Sequence, residues 1–157
     1  IARASDTKDV ARAVQFAREQ GLPLSVRGGG HDITGSAVRD DGLMIDLSRM
    51  TGVQVDAAAR RATVEGGATL ADLDRATQAH GLATPVGINS TTGIGGLTLG
   101  GGFGWLSRRH GMTVDNLESA EVVLADGQIA ADGTKAEVMP TLAKQKPIVC
   151  DVLTEKL

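Results

Sequence analysis

Hydrophobic positions in the first fifty residues predict one amphipathic helix followed by two buried strands. Apolar residues recur at helical spacing after Asp6-Thr7, a typical helix start, and Gly21 then favours a left-handed helix cap. The short apolar stretch 22–26 predicts a strand that runs directly into a glycine-rich segment. A second strand is predicted over 43–47, after the Asp41-Gly42 turn.

The next segment predicts a hairpin and a second helix. Alternating apolar residues indicate strands around 53–55 and 62–65. Thr69 and Asp72 have the spacing of a capping box, in which each side chain accepts from a free amide at the helix start. We therefore expect a helix from this point to about His80.

The last third predicts one more hairpin and then changes in character. Strands are predicted over 119–125 and 128–131, joined by an Asp-Gly turn. Because helices and strands do not alternate regularly, the pattern predicts an α+β fold with two small α/β lobes and mixed sheets. Residues 134–157 are rich in Lys, and we interpret them as a tail of unknown role. A helix followed by a closing strand is expected there, with the end of the tail covering an exposed sheet edge.

Composition narrows the class of protein. The chain has 157 residues, 41% of them hydrophobic, which suits one domain or two lobes sharing a core. A net charge of −3 does not favour nucleic acid or an anionic membrane as a partner. With a single Cys150 and no clustered ligands, we expect neither an internal disulfide nor a metal. The pattern favours a soluble, cytoplasmic protein over a secreted one, although a start at Ile1 indicates a missing N-terminus.

Glycine is concentrated in two places. It accounts for 21 of the 157 residues. One run occupies positions 28–30, and a second takes seven of the twelve positions 93–104. Glycine loses more chain entropy on folding than any other residue, but its backbone can approach a ligand closely, and successive N–H groups can surround an anion. Both runs therefore predict a ligand that carries phosphate, with tight turns or packing as the alternative explanation.

Two common phosphate motifs do not match. The dinucleotide fingerprint GxGxxG fits neither glycine run in register after a strand, and the P-loop pattern fails because the chain contains no Gly-Lys pair.

Three motifs in order carry a family resemblance: VRGGGH at 26–31, TGIGGLTLGGGFGWL at 92–106 and GMTVDNL at 111–117. Together they resemble the FAD-linked oxidases of the vanillyl-alcohol oxidase type, which have a PCMH-type FAD-binding domain, and in particular the berberine-bridge-enzyme-like branch. The resemblance covers residues 1–133. It implies that the chain is the FAD-binding module of an oxidase that takes a hydride from a small alcohol, sugar or amine and passes electrons to O2.

The resemblance also implies a set of FAD contacts. The first glycine loop cradles the diphosphate in this family, and its histidine, here His31, is the candidate for a covalent bond to the flavin. In relatives with a second covalent link, a Cys stands where this chain has Asn89, so we do not expect a bicovalent flavin. The full set of expected FAD contacts is Arg27, Gly28, Gly29, Gly30, His31, Gly35, Ser36, Gly87, Thr92, Gly93, Gly95, Gly96 and Asp115.

The catalytic Tyr and the substrate domain of the family are not expected in this chain. The chain contains no Tyr, so the family's catalytic Tyr and its substrate domain have no counterpart, and the catalytic residues stay unassigned. The chain is then a fragment, one piece of an assembly, or a shortened module that has lost FAD or binds another diphosphate ligand. A small-molecule substrate is expected only if the rest of the enzyme is present. Phe103 and Trp105 are interpreted as core residues.

Overall fold

A parallel sheet and one helix form the first lobe. The computed structural model describes residues 1–134 and 148–155. The lobe contains strand β1 (Ala2–Arg3), helix α1 (Thr7–Glu19), strand β2 (Leu24–Arg27) and strand β3 (Leu43–Asp46). The strands pair in parallel in the order β1-β3-β2. The apolar face of α1 packs on this sheet around Val10, Val14 and Ile45.

The ends of α1 explain where the next strand begins. The Asp6 carboxylate accepts from the Asp9 N–H at 2.7 Å, a cap that contributes about 1 kcal/mol to helix stability. At the other end Gly21 has φ +63° and the Leu22 N–H donates to the Ala17 carbonyl at 2.8 Å. Because Leu22 belongs to this helix ending, β2 begins at Leu24, two residues after the predicted start.

An antiparallel sheet forms the second lobe. Its strands are β4 (Val53–Asp56), β5 (Arg61–Glu65), β6 (Leu117–Val123), β7 (Ile129–Thr134) and β8 (Ile148–Glu155), in the spatial order β4-β5-β8-β6-β7. Helix α2 (Leu70–Gln78) starts at the predicted capping box and buries Leu70 and Leu73. Strand β8, from the segment interpreted as a tail, lies between β5 and β6 in the middle of the sheet rather than at an exposed edge. The helix expected before it falls outside the described residues.

The second glycine run and the residues just after it contain three short helices that the sequence pattern does not predict. These are α3 (Ile94–Leu99), α4 (Ser107–His110) and a 3-10 turn over Thr113–Asn116. Ile94 is fully buried, and the Thr98 hydroxyl donates to the Ile94 carbonyl at 2.8 Å. The low helix propensity of glycine hides α3 from propensity-based prediction.

The assignment of Phe103 and Trp105 to the core is wrong. Their exposed fractions are 73% and 86%. The residue that approaches the interior at this turn is Gly104, where an added Cβ would lie 2.0 Å from the Val86 carbonyl oxygen. The two aromatic side chains on either side of Gly104 remain at the surface.

Candidate cofactor site between two glycine loops

The two glycine runs meet through their backbones. A Cβ added at Gly29 would lie 2.3 Å from the Gly93 nitrogen, and one added at Gly93 would lie 2.4 Å from the Gly29 nitrogen. Both distances are far inside van der Waals contact, so neither position accepts a side chain without moving a loop. The loop after β2 and the loop before α3 are therefore held together by glycine-to-glycine contact.

A cavity of about 430 Å³ opens beside this contact, within the size range of small-molecule sites. Seven of the expected FAD contacts line it: Gly28, Gly29, Gly30, His31, Thr92, Gly93 and Gly96. The remaining lining residues are Val26, Asp32, Ala37 and Leu97. Sequence positions 28–31 and 92–96 are thus brought together as the motifs predict.

Unpaired backbone donors supply the polar side of this cavity. Within the described part of the chain, the N–H groups of Gly28, Gly29 and Gly30 donate no hydrogen bond. Gly30 has φ +72°, a left-handed conformation found in loops whose successive N–H groups converge on an anion. None of the lining residues is Lys or Arg, so the donors available to an anion here are backbone N–H groups and the side chains of His31 and Thr92.

Gly96 provides the clearest sign of a ligand. It lies in α3 and lines the cavity, and among the described residues a Cβ added to it would meet nothing within 4 Å outside the backbone of its own helix. Alanine would be favoured over glycine in a helix by about 1 kcal/mol, and nothing in the fold prevents it. The absent side chain leaves open space beside the cavity, which makes room for a ligand. The lining residues therefore fit a diphosphate-bearing cofactor.

Six expected contacts lie outside the cavity, and three of these support the loops. Arg27 lies behind the first loop, its guanidinium pairing with Asp46 at 3.4 Å and packing near Gly30. Gly87 packs against the side chains of Leu97 and Leu70.

Gly95 faces the second lobe rather than the cavity, since its added Cβ would lie 3.1 Å from the Gly66 carbonyl oxygen. Asp115 is further away, where its carboxylate accepts from the Met112 N–H at 2.9 Å and caps the 3-10 turn. These residues shape the site without lining it.

Gly35 and Ser36 belong to a turn organised by Asp32, a residue that the motif analysis missed. The Asp32 carboxylate accepts from the Ser36 N–H at 2.7 Å and from the Ser36 hydroxyl at 2.5 Å. The Thr34 N–H and hydroxyl also donate to it, at 3.2 and 3.0 Å. Hydrogen bonds from Ser36 and Thr34 lower the pKa of Asp32 to about 2. An Asp followed by Thr and Ser at these spacings is a recognisable turn signal.

His31 contacts the second loop through Thr91, which the motif analysis also missed. Its Nε2 atom lies 2.7 Å from the Thr91 hydroxyl oxygen. That hydroxyl donates to Asn89 Oδ1 at 2.9 Å. The histidine is therefore tied to the loop opposite its own.

Residues 1–134 and 148–155 contain neither a metal cluster nor a membrane-spanning helix. No group of three or more His, Cys, Asp or Glu is arranged to hold a metal ion there. In the same residues no helix has the length and apolar character needed to cross a bilayer.

Comparison with known proteins identifies the family. Residues 1–132 match the model of the FAD binding domain family FAD_binding_4, so the chain belongs to this family and its cofactor is FAD. It is 36% identical over 143 residues to berberine bridge enzyme-like 3 from Arabidopsis thaliana. The aligned region spans 87% of this chain and 26% of that relative.

Solved structures show the same fold. The 6-hydroxy-D-nicotine oxidase from Arthrobacter nicotinovorans superposes with a TM-score of 0.89 at 32% identity, covering 98% of this chain and 35% of that one. The glucooligosaccharide oxidase from Acremonium strictum, which carries a 6-S-cysteinyl, 8α-N1-histidyl FAD, gives a TM-score of 0.83 at 33% identity, covering 99% and 34%. These findings confirm the PCMH-type α+β fold and the resemblance to FAD-linked oxidases, including the berberine-bridge-enzyme-like branch.

The match is partial with respect to the relatives. The chain spans about a quarter of the length of the curated relatives and about a third of the solved chains. What the match shows is an FAD binding domain, and the relatives that contain it include an oxidase and a monooxygenase.

Proposed function

We propose that this chain is the cofactor-holding part of a flavin-dependent oxidase that acts on a small alcohol, sugar or amine, with O2 as the final electron acceptor. When bound, FAD supplies the two-electron acceptor for a hydride from the substrate. Support comes from two similar structures whose names give an oxidase activity, one on 6-hydroxy-D-nicotine and one on a glucooligosaccharide.

The first task of this chain is to bind the cofactor diphosphate. The N–H groups of Gly28, Gly29 and Gly30 have no acceptor among residues 1–134 and 148–155, so they can donate to a ligand. The open space at Gly96 is the observation that carries this proposal, because glycine is costly there and the fold leaves its Cβ position empty.

The second task is to fix the orientation of the cofactor, and we assign it to His31. This residue lines the cavity next to the three glycines, and its imidazole is held against Thr91. A covalent bond at His31 would prevent loss of the flavin. With Asn at position 89, the chain offers no thiol there for a second bond, so a single attachment is proposed.

The visible spectrum of the protein after incubation with FAD, taken before and after acid precipitation, tests both tasks. Flavin absorbance that stays with the precipitate is expected, and His31→Ala should move it to the supernatant. A His80→Ala variant changes an exposed histidine outside the cavity and should behave as the unaltered chain.

Two other outcomes are informative. Yellow colour in the supernatant of the unaltered chain would retain FAD binding and refute the covalent bond. Flavin in neither fraction would contradict cofactor binding by this chain and support a module that has lost FAD or takes another diphosphate ligand.

A further inference from the structure

We propose that Asn89 and Thr91 are positioning residues for His31: they hold its Nε2 atom protonated, so that the unshared electron pair is on Nδ1. An N1-histidyl bond, the kind found in the glucooligosaccharide oxidase, needs its electron pair on this nitrogen. The placement of the proton follows from hydrogen bonds within the chain. The attachment itself rests on the function proposed above.

The orientation of the Asn89 side chain is fixed first. The Thr91 backbone N–H points at the Asn89 side chain, with 3.2 Å between the nitrogen and Oδ1. A backbone N–H can only donate, so the atom facing it must be the amide oxygen rather than the amide nitrogen. The Asn89 carbonyl also accepts from the Thr92 N–H at 3.0 Å, which closes the turn.

The Thr91 hydroxyl is oriented next. Its oxygen lies 2.9 Å from Asn89 Oδ1, an atom that only accepts. The single hydroxyl proton is therefore committed to Asn89. Toward any third group the Thr91 oxygen can act only as an acceptor.

His31 is that third group. Its Nε2 atom lies 2.7 Å from the Thr91 oxygen, a short hydrogen-bond distance, so the proton between them belongs to Nε2. A neutral imidazole carries one ring proton, and its other nitrogen is then unprotonated. The chain of three side chains thus leaves Nδ1 with the electron pair that a bond to carbon requires.

The backbone holds these partners in place. His31 follows Gly29 by two residues and Thr91 precedes Gly93 by two, and these two glycines are in direct contact. The loop contact that forms the cavity therefore also sets the distance between His31 and Thr91.

The proposed attachment is balanced with dioxygen as the oxidant. A bond forms between Nδ1 and the 8α-methyl carbon of the flavin, and one C–H bond of that methyl and the Nε2–H bond are broken. Two electrons and two protons are released and reduce O2 to hydrogen peroxide. No other co-reactant is needed.

Long-range ¹H–¹⁵N spectra of the flavin-free chain test the proton placement directly. At a pH well above the range in which histidine titrates, His31 should show a protonated Nε2 and an unprotonated Nδ1. Thr91→Val, which keeps the shape and removes the hydroxyl, should reduce this preference roughly fivefold, the effect of one ordinary hydrogen bond. Thr91→Ser should restore it.

The same variants test attachment when FAD is added. The rate at which flavin becomes acid-stable should fall by a similar factor in Thr91→Val and recover in Thr91→Ser. NMR of the isolated flavinyl peptide should show the bond at Nδ1. Ser90→Ala removes a hydroxyl from the same turn that has no hydrogen bond to His31, and it should change neither readout.

Failure of this inference can be distinguished from failure of the proposed function. A His31 protonated at Nδ1, or spectra unchanged by Thr91→Val, would overturn the positioning role even in a chain that binds FAD. A chain with the expected tautomer that takes up no flavin would retain the proton placement and refute the cofactor role.

Discussion

Two glycines of the second loop show that the same residue type serves two purposes. Gly93 is required by the fold, since a side chain there would collide with the Gly29 backbone. Gly96 is not required by the fold, since a side chain there would meet only open space. In the sequence both belong to one glycine run. Only the structure shows that Gly93 is needed for packing and that Gly96 leaves room for a ligand.

Gly96→Ala should therefore keep or raise stability while it weakens FAD binding. We expect the free energy of unfolding to rise by about 0.5–1 kcal/mol, because alanine is the better helix former, and the FAD dissociation constant to increase. Urea unfolding and a flavin fluorescence titration measure the two effects. Gly93→Ala is the matched control and should lower stability. An unchanged FAD affinity in Gly96→Ala would show that the space is not ligand space.

Asp32 organises the turn after the first loop while exposed to solvent. Its pKa is lowered to about 2 from the usual 3.8, with the hydrogen bond from the Ser36 side chain as the largest cause. A lowered folded-state pKa means that the turn is stabilised by ionised Asp32 above about pH 4. That stabilisation is lost as the pH falls from there toward 2.

Carboxyl ¹³C shifts followed over pH test this directly. Ser36→Ala should raise the pKa of Asp32 toward 3.8, and Thr34→Val should raise it by less, since the Thr34 side chain is the second cause. An Asp32 that titrates at its usual value in the unaltered chain would mean that these hydrogen bonds do not persist in solution.

At the scale of elements, capping signals were predictable and the glycine-rich helix was not. Thr69 and Asp72 form the expected capping box, with the Thr69 N–H donating to the Asp72 carboxylate at 2.9 Å. Helix α3 contains Gly95 and Gly96, so its local propensity predicts a loop. Its formation depends on tertiary contacts, among them the burial of Ile94 and the Ile94 N–H bond to the Ala68 carbonyl at 2.9 Å.

Strand β8 joins the two halves of the second sheet. It pairs with β5 on one side over five residues and with β6 on the other. Ending the chain before residue 148 would expose two strand edges in the middle of the sheet, where their N–H and carbonyl groups lose their partners. We expect such a truncated chain to lose cooperative unfolding or to aggregate. Circular dichroism during thermal unfolding, compared with the full chain, measures this.

A truncated chain that unfolds as cooperatively as the full one would contradict the central position of β8. The pairing of this strand was not predictable, because local pattern shows that a segment is apolar but not which strands it joins. Its role as part of the domain or as a separate tail stays a prediction.

At the scale of the whole molecule, the ordered motifs predicted more of the site than periodicity did. Periodicity located α1, α2 and most strands, whereas the motifs placed residues 28–31 and 92–96 in one site. Asp32 and Thr91 were missed because their roles depend on contacts with the turn at Ser36 and with the opposite loop. Arg27 and Asp115 do not line the cavity, because Arg27 pairs with Asp46 and Asp115 caps the 3-10 turn, and their contact with FAD stays a prediction.

The two lobes meet at the glycine loops, so a bound cofactor should stabilise both loops at once. Amide hydrogen exchange with and without FAD measures this most directly. Exchange should slow at Gly28, Gly29 and Gly30, whose N–H groups have no partner in the described chain, and at 92–97. The β4–β5 hairpin should be unaffected. Protection elsewhere, or none at the glycines while FAD is bound, would contradict the assignment of the two loops as the diphosphate site.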